Sequence, residues 1–348
     1  MKEEELRQCQ IQEWYPFFKR YSIRTLFHPL PDDFIRYILG EPPTASGQAP
    51  PFRLPRSASG SDPLPRTTAS VDPISILDSD PSTFDDDDGD SEGSGEEAEA
   101  PSFPDLELEI ERSIASLGGA VFPKLNWSSP KDAAWIAADG SLRCTSFAEI
   151  ALLLHSSDRA VHDLCYAIDS CSDRSSAPFS FSLALRKFYP GLRPEMEFRC
   201  FVRRHQLLAI SQREITAYYP SLLDRRDELR QLIEDFFAEA VDPTFKLEDY
   251  TFDVHVTGDW RIKILDFNPW GAFTLPLLFS WEELEKKSFG EEEVEFRLVE
   301  SQCGVRPGLK TAVPFDYLDA AEGSGWDQFL RKADDELRRQ TKDSDTGI

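Results

Sequence analysis

The sequence is poor in histidine, methionine and positive charge, and its cysteines lack the spacing of a metal or redox motif. Its 348 residues include five His, two Met, and 38 Lys plus Arg against 63 Asp plus Glu. The formal net charge of −25 excludes nucleic-acid binding through a diffuse positive field. None of the six cysteines forms a CxxC pair, which argues against a structural zinc site and against a disulfide framework.

Several signatures of common enzyme classes are missing as well. The sequence has no GxxxxGK[ST] loop, no Rossmann GxGxxG followed by an acid, no GxSxG, no HExxH and no kinase signature set. No apolar run approaches the length of a membrane span, and the acidic N-terminus lacks the apolar region of a secretory signal. We therefore expect a cytoplasmic protein, monomeric on its own, with no nucleic-acid or membrane partner.

The composition changes sharply along the chain. Residues 1–40 are rich in aromatic and aliphatic side chains and are expected to fold, whereas residues 41–104 are rich in Pro, Ser, Gly, Asp and Glu. Such a segment buries too little apolar area to offset its ordering entropy, so we interpret it as a disordered acidic insertion. It could serve as a solvated spacer or as an acidic tract that binds a partner.

The periodicities return after this insertion and indicate an α+β fold with antiparallel hairpins. They predict helices at 105–117 and 147–156, and one at 221–240 capped by Ser221. Strands are predicted at 120–124 and 180–188, and the residues from 332 to 348 form a charged helix end and tail. Two hairpins are also predicted, with arms at 197–203 and 207–213 and at 250–257 and 260–268.

The second of these hairpins carries a group of oxygen-bearing side chains. A two-residue loop at Gly258–Asp259 would pair residue 257 with 260 and place Asp253 opposite Ile264. Because opposed residues share a face and strand side chains alternate, Asp253, Asp266 and Asn268 would then lie on one side. A three-residue loop would instead place Asp253 on the opposite face.

Two carboxylates on one strand face repel each other unless a cation separates them. Magnesium suits carboxylate and amide oxygens, and it commonly bridges a protein to nucleotide phosphates. Asp253, Asp266 and Asn268 are therefore candidate magnesium residues. The alternative interpretation is a solvated polar strand face, or an Asp/Asn turn before Pro269.

Candidate phosphate-binding cations lie earlier in the chain. Lys124 ends a predicted strand and precedes a small polar loop, so it could reach a phosphate as a point charge while backbone N–H groups of the loop close over the phosphates. It could also be an ordinary surface lysine. Arg186 and Lys187 are adjacent at the end of another strand, so their side chains must point to opposite faces.

One further strand carries alternating charge. Glu197, Arg199 and Arg203 share one face, with Phe198 and Val202 on the other. A cross-strand ladder of ion pairs is the simplest use of this pattern.

Several of these segments together resemble the eukaryotic cell-division-cycle-one-two-three family, whose members are assembly chaperones for eukaryotic translation initiation factor two. The resemblance covers nearly the whole chain except the acidic insertion and the tail. It is carried by CQIQEWYPFF at 9–18, FPKLNWSSPKDA at 122–133, LRK at 185–187, EFRCFV at 197–202, ISQR at 210–213 and DFNP at 266–269.

This resemblance implies an ATP-grasp-type fold that holds ATP and Mg²⁺ between two α+β lobes. The first lobe would comprise residues 1–40 and 105–185, and the second residues 186–331. By motif, Lys124 resembles the first phosphate lysine, Arg186 and Lys187 fall on the strand that leads to the adenine site, and Asp253, Asp266 and Asn268 resemble the magnesium-side residues.

The resemblance also implies a function. Members of the family bind the gamma subunit of the initiation factor and promote its joining with the alpha and beta subunits, which supports translation initiation and cell-cycle progression. We expect ATP to be bound rather than consumed in this role. The alternatives are an ATP-grasp ligase that activates a carboxylate, and a scaffold with a vestigial nucleotide site.

Overall fold

The structure is a computed structural model of the whole chain. It describes residues 1–41, 54–55, 101–169, 171–173, 179–271, 274–287 and 293–302. Within these ranges, no helix is long and apolar enough to cross a membrane.

Helices and strands alternate irregularly along the chain, as expected for an α+β fold. The helices are α1 (Glu3–Gln8), α2 (Ile11–Phe18), α3 (Asp32–Ile38), α4 (Pro104–Ser116), α5 (Phe147–His155), α6 (Asp158–Cys165), α7 (Pro220–Leu223), α8 (Arg226–Phe236) and α9 (Trp281–Lys286). The strands are β1 (Thr25–Pro29), β2 (Val121–Lys124), β3 (Ser182–Lys187), β4 (Glu197–Arg203), β5 (Gln206–Gln212), β6 (Tyr250–Val256), β7 (Ile262–Pro269) and β8 (Glu295–Arg297).

The smaller sheet has three antiparallel strands in the order β1-β3-β2. Its apolar face carries Leu183 and Leu185 of β3 and packs against α3, α4 and α5. Phe34 of α3 is fully buried there and contacts Phe103 and Phe147. Phe103 therefore belongs to the folded unit, although residues 101–104 were predicted to end the acidic insertion.

The larger sheet has five strands in the order β7-β6-β4-β5-β8, antiparallel except for the β5–β8 pair. Alternating residues of β4 and β6, among them Phe198, Cys200 and Phe252, face a large apolar core that α8 also lines. The opposite face is mostly polar near β6 and β7. The mixed α+β class predicted from the sequence is confirmed.

Helix α2 packs on both sheets, through contacts with β7 of the larger one and β3 of the smaller one. Trp14 and Phe18 both contact Phe267 of β7, with ring centroids 5.3 and 5.1 Å apart. Since β1 belongs to the smaller sheet and α2 contacts both, residues 1–40 connect the two sheets. Their assignment to the first lobe stays a prediction. The aromatic residues of this segment indicated burial but not the sheet against which they pack.

The helix predicted at 221–240 is interrupted. The short helix α7 begins at Pro220, a break follows, and α8 ends in a π-helical turn at Phe237–Val241. Ser221 lies inside α7 and does not cap a long helix. The apolar periodicity was sufficient to locate the buried side, which includes Leu229 and Ile233, but it does not report such breaks.

Candidate functional site

The hairpin of β6 and β7 differs from its predicted register at the loop. The loop has three residues, 258–260, because Thr257 N–H donates to the Arg261 carbonyl at 2.9 Å. Trp260 adopts a left-handed conformation with φ 59°, which is typical of hairpins whose three-residue loop closes with one residue in this region. The predicted pairing of residue 257 with 260 is wrong.

A β-bulge at Leu265 compensates for the longer loop. Val254 pairs with Ile264, but the next pair is Asp253 with Asp266, so Leu265 is the extra residue. Asp253 is therefore directly opposite Asp266 rather than opposite Ile264. Thr251 is paired with Asn268 on the same face. Asp253, Asp266 and Asn268 do share one face, as expected, although the loop and the bulge together produce this arrangement.

Asp253 is fully buried and held by two arginines. Arg199 of β4 donates from Nε to Oδ1 and from Nη2 to Oδ2, both at 2.8 Å, and Arg213 Nε donates to Oδ2 at 3.0 Å. Burial alone would raise the pKa of Asp253, but the two guanidinium groups outweigh it and hold this pKa well below its usual range. Arg213 also pairs with Glu197, so the predicted cross-strand ion pairs are present.

Lys124 and Asp266 join the two sheets. The Lys124 ammonium lies at the end of β2, is 3% exposed, and contacts Asp266 Oδ2 of β7 at 2.9 Å. It also donates to the Trp127 carbonyl. Lys124 is therefore not an ordinary surface lysine. An ammonium group has three N–H donors, so the contacts described here leave one for a ligand.

Arg186 forms a second link between the sheets. Its Nη1 donates to the carbonyl of Leu265 at 2.6 Å. Burial lowers the pKa of Arg186 to about 10, and the nearby charge of Asp266 opposes this shift. Nε and Nη2 of this side chain are buried and have no hydrogen-bond partner among the described residues. Since buried guanidinium donors are rarely left unpaired, this arrangement favours an anionic ligand.

Lys187 lies on the other face of β3, as the alternation of side chains requires. Its ammonium group is 5.3 Å from the ring centroid of Tyr189 and close to Gly118. The structure thus brings Lys124, Arg186, Asp253 and Asp266 together but places Lys187 apart from them.

The donors on the β6–β7 face fit a hard cation. Two carboxylates and one carboxamide are available, and a buried hydroxyl, Thr251 Oγ1, lies beside Asn268 in the ladder. Thr251 Oγ1 and Asn268 Nδ2 have no partner among the described residues. Among the residues that the structure describes, no group of three or more His, Cys, Asp or Glu is arranged to hold a metal ion. Two acidic ligands suit a magnesium ion that takes its remaining ligands from phosphate and water.

The loop after Lys124 does not present its amides as expected. The backbone N–H groups of Trp127 and Ser128 both donate to Asp163 Oδ2, at 3.1 and 2.7 Å, and the Leu125 N–H donates to the Ser128 carbonyl. These amides are therefore occupied within the protein. The expectation that the loop closes its backbone amides over phosphates is wrong for these three residues.

The site carries an excess of positive charge in a strongly acidic chain. Lys131 lies near Arg213, whose charge, together with partial desolvation, lowers the pKa of Lys131 to about 8. Glu197 and Asp253 oppose that shift. Among the described residues of the site, five cations lie close to four carboxylates. The cations are Lys124, Lys131, Arg186, Arg199 and Arg213, and the carboxylates are Asp163, Glu197, Asp253 and Asp266.

A separate cavity of about 420 Å³ lies at the β8 edge of the larger sheet. Its cations are matched by acids, since Arg226 pairs with Glu300 at 2.7 Å and Lys287 pairs with Glu295 at 2.8 Å. Unlike the site between the sheets, this cavity has no evident charge excess for an anion.

The chain is similar to known proteins over most of its length. A sequence profile of the D123 family matches residues 14–321. The chain belongs to the D123 family. It is 36% identical to the "Translation initiation factor eIF2 assembly protein" of Xenopus laevis, over 99% of this chain and 100% of that protein. It is 42% identical to the protein of the same name from Schizosaccharomyces pombe, over 65% of this chain and 72% of that protein.

A solved member of the D123 family shares the fold. The structure of Cdc123 from Schizosaccharomyces pombe matches with a TM-score of 0.64 and 32% identity, and the match covers 86% of this chain and 99% of that one. The family resemblance inferred from the sequence is confirmed. A weaker likeness is to a structure described as RimK domain protein ATP-grasp from Sphaerobacter thermophilus, with a TM-score of 0.28 and 17% identity over 48% of this chain and 50% of that one.

Asp253→Asn should destabilise the protein in a pH-dependent way. At pH 7 the change leaves Arg199 and Arg213 without their buried counter-charge, and we expect a loss of about 3–5 kcal/mol in unfolding free energy. Because the pKa of Asp253 is lowered in the folded state, its stabilising effect is present above the unfolded value of about 3.9 and is lost as pH falls below it. Below that pH, the difference in unfolding free energy between the variant and wild type should therefore narrow by at most about 1.4 kcal/mol per pH unit.

Urea unfolding from pH 7 down to about pH 2, without metal or nucleotide, measures this difference on both sides of the unfolded pKa of Asp. Asp227→Asn is the matched control, because the Asp227 side chain is 84% exposed. Equal stability of Asp253→Asn and wild type at pH 7 would contradict the assignment of Asp253 as the charge that balances the two arginines.

Proposed function

We propose that this chain binds ATP with magnesium between its two sheets, in the manner of an ATP-grasp fold. The main observation behind the proposal is the Lys124–Asp266 contact. A lysine that could bind phosphate, on one sheet, lies 2.9 Å from a carboxylate that could bind a metal ion, on the other. The surplus of cations around them makes the site attractive to a polyphosphate.

Magnesium would be held by Asp253, Asp266 and Asn268, and it would neutralise phosphate charge. Asp253 already accepts three bonds from arginines, but a carboxylate offers about four lone-pair sites, so one remains for a metal. Asp266 is 15% exposed at its side chain, which leaves it open to the space between the sheets.

The phosphate chain would contact Lys124 and Arg186. Each has donors left over after its contacts within the protein, and each lies on the smaller sheet and bonds to β7 of the larger one. Lys187, beside the aromatic ring of Tyr189 at the strand end, remains a candidate for contact with the nucleotide base.

The biological role that we propose is assembly of translation initiation factor eIF2. The D123 relatives are named for that role. We further propose that the partner is the gamma subunit and that the chain works in the cytoplasm, with effects on the cell cycle following from translation. Nucleotide held by both sheets would fix their relative orientation and so preorganise a partner surface.

An ATP-grasp ligase is the principal competing function. A ligase transfers an activated carboxylate to an amine, so it needs a second substrate pocket with anchoring groups near the phosphates. The cavity at the β8 edge is lined by a different set of residues from the nucleotide site. A scaffold with a vestigial site is disfavoured by the complete set of cations and carboxylates.

Asp266→Asn should remove the magnesium-dependent part of ATP affinity. In wild type, adding Mg²⁺ should tighten ATP binding, since the metal would bridge the carboxylates to the phosphates. The variant keeps the shape of the side chain but loses one anionic ligand. We expect the gain in ATP affinity on adding Mg²⁺ to fall about 10-fold or more. Isothermal calorimetry with ATP, at fixed Mg²⁺ and in EDTA, measures it.

The control for this comparison is Asp249→Asn. The Asp249 carboxylate accepts from the Arg204 N–H at the turn between β4 and β5. If Asp266→Asn kept the full magnesium increment, the metal assignment would be wrong.

A non-hydrolysable ATP analogue should support partner binding as well as ATP does. A ligand that only stabilises one arrangement of the two sheets acts through its affinity, so cleavage of its phosphate is not needed. The readout is capture of the purified eIF2 gamma subunit, and its joining with alpha and beta, in the presence of analogue, ATP or neither. An analogue that occupies the site but fails in capture, while ATP succeeds and is consumed stoichiometrically, would favour an enzymatic function.

A further inference from the structure

Asp163 is a buried carboxylate on α6 that faces the loop after Lys124. It is 2% exposed. Its Oδ2 accepts the backbone N–H groups of Trp127 and Ser128, and its Oδ1 accepts the Ser128 hydroxyl at 2.8 Å. All three bonds fix two consecutive residues of one loop, although α6 lies 35 residues away in the chain.

This loop in turn determines where the Lys124 ammonium lies. The Trp127 carbonyl accepts a hydrogen bond from Lys124 Nζ, and the N–H of the same peptide, that of Ser128, donates to Asp163 Oδ2 at 2.7 Å. The peptide that Asp163 holds is therefore the one that directs the lysine. Lys124 then contacts Asp266 on the other sheet. A continuous series of contacts therefore runs from α6 through the loop to the proposed metal-binding strand.

The rest of the loop is held independently of Asp163. Asn126 donates to Gln10 at 2.6 Å and accepts from the Ser182 N–H at 2.9 Å, and the Trp127 indole N–H donates to the Leu6 carbonyl. Removing Asp163 should therefore leave the loop attached while releasing the peptide between Trp127 and Ser128. That is the part which bonds to Lys124.

The charge of Asp163 is costly for the fold. Burial raises its pKa above the usual range, and the bonds from Ser128 and the charge of Lys124 only partly oppose this. A carboxyl group whose pKa is raised by folding stabilises the folded state more when it is protonated. At neutral pH, where it is ionised, its contribution to stability is smaller. A role in stability alone therefore explains this residue poorly.

We propose that Asp163 is a positioning residue for the nucleotide phosphates. It orients the Trp127–Ser128 peptide, which holds the Lys124 ammonium between the two sheets. This inference rests on the proposed binding of Mg-ATP at Lys124.

The first test compares Asp163→Ala with Ser157→Ala. Ser157 caps α6, the same helix, through a bond from the Ala160 N–H, and it donates to Asp132, so its loss weakens the helix without touching the loop. We expect Asp163→Ala to raise the Kd for Mg-ATP about 10-fold or more, by analogy with the outer partners of metal ligands, and Ser157→Ala to leave it unchanged. Calorimetry, at a temperature where circular dichroism shows both variants folded, gives the comparison.

Asp163→Asn tests whether orientation, not charge, is the cause. Its Oδ1 can still accept both backbone N–H groups, while its Nδ2 can donate to the Ser128 hydroxyl. It should recover most of the affinity that Asp163→Ala loses. Equal losses in the two variants would overturn the positioning role.

A double-mutant cycle with Lys124→Met separates positioning from a general structural effect. If Asp163 acts through Lys124, then Asp163→Ala should add nothing to the loss already caused by Lys124→Met. If the two losses add, Asp163 acts by another route and the proposal is wrong. Should Asp163→Ala fail to fold, Ser128→Ala takes its place in the cycle, with an expected increase in Kd of about two- to tenfold.

The outcomes distinguish this inference from the function on which it rests. A wild-type protein that does not bind Mg-ATP would refute both. Wild-type binding that is lost in Lys124→Met but is the same in Asp163→Ala and Ser157→Ala would refute the role of Asp163 and leave the proposed function standing.

Discussion

The ion pair of Lys124 with Asp266 is the contact on which the arrangement of the site depends. It joins the end of β2 in the smaller sheet to β7 in the larger one at 2.9 Å, with the lysine almost completely buried. A buried charge that loses its partner costs about 3–5 kcal/mol, so a change of either residue alone should destabilise the protein. The same two groups are those that a phosphate and a metal ion would require, which means that the junction of the sheets and the proposed binding site are one structure.

The bulge at Leu265 contributes to the site in two ways. It restores Asp253 to the face of Asp266 after the three-residue loop has shifted the register by one residue. An extra residue in a strand is also left unpaired in the ladder, and here the freed Leu265 carbonyl accepts from Arg186 of the smaller sheet. A single irregularity thus aligns the two carboxylates and supplies the second link between the sheets.

Local sequence patterns predicted the parts of this site that lie within one strand or hairpin. The alternation in DFN placed Asp266 and Asn268 on one face, and the adjacent pair of Arg186 and Lys187 had to diverge. The contacts of Asp253 with Arg199, and of Asp163 with the Lys124 loop, could not be predicted in this way. They depend on the pairing of β4 with β6 and on the packing of α6, which join segments far apart in the chain and leave no periodic signal.

Hydrogen–deuterium exchange with and without Mg-ATP tests most directly whether nucleotide is held by both sheets. If nucleotide contacts both sheets, Mg-ATP should slow amide exchange simultaneously in peptides covering 121–131 of the smaller sheet and 250–269 of the larger one. Local opening at the junction requires release of both, so one ligand should protect both. Protection confined to one sheet would contradict nucleotide binding between the sheets. Protection centred on the cavity lined by Arg226, Arg230 and Lys287 would contradict it as well.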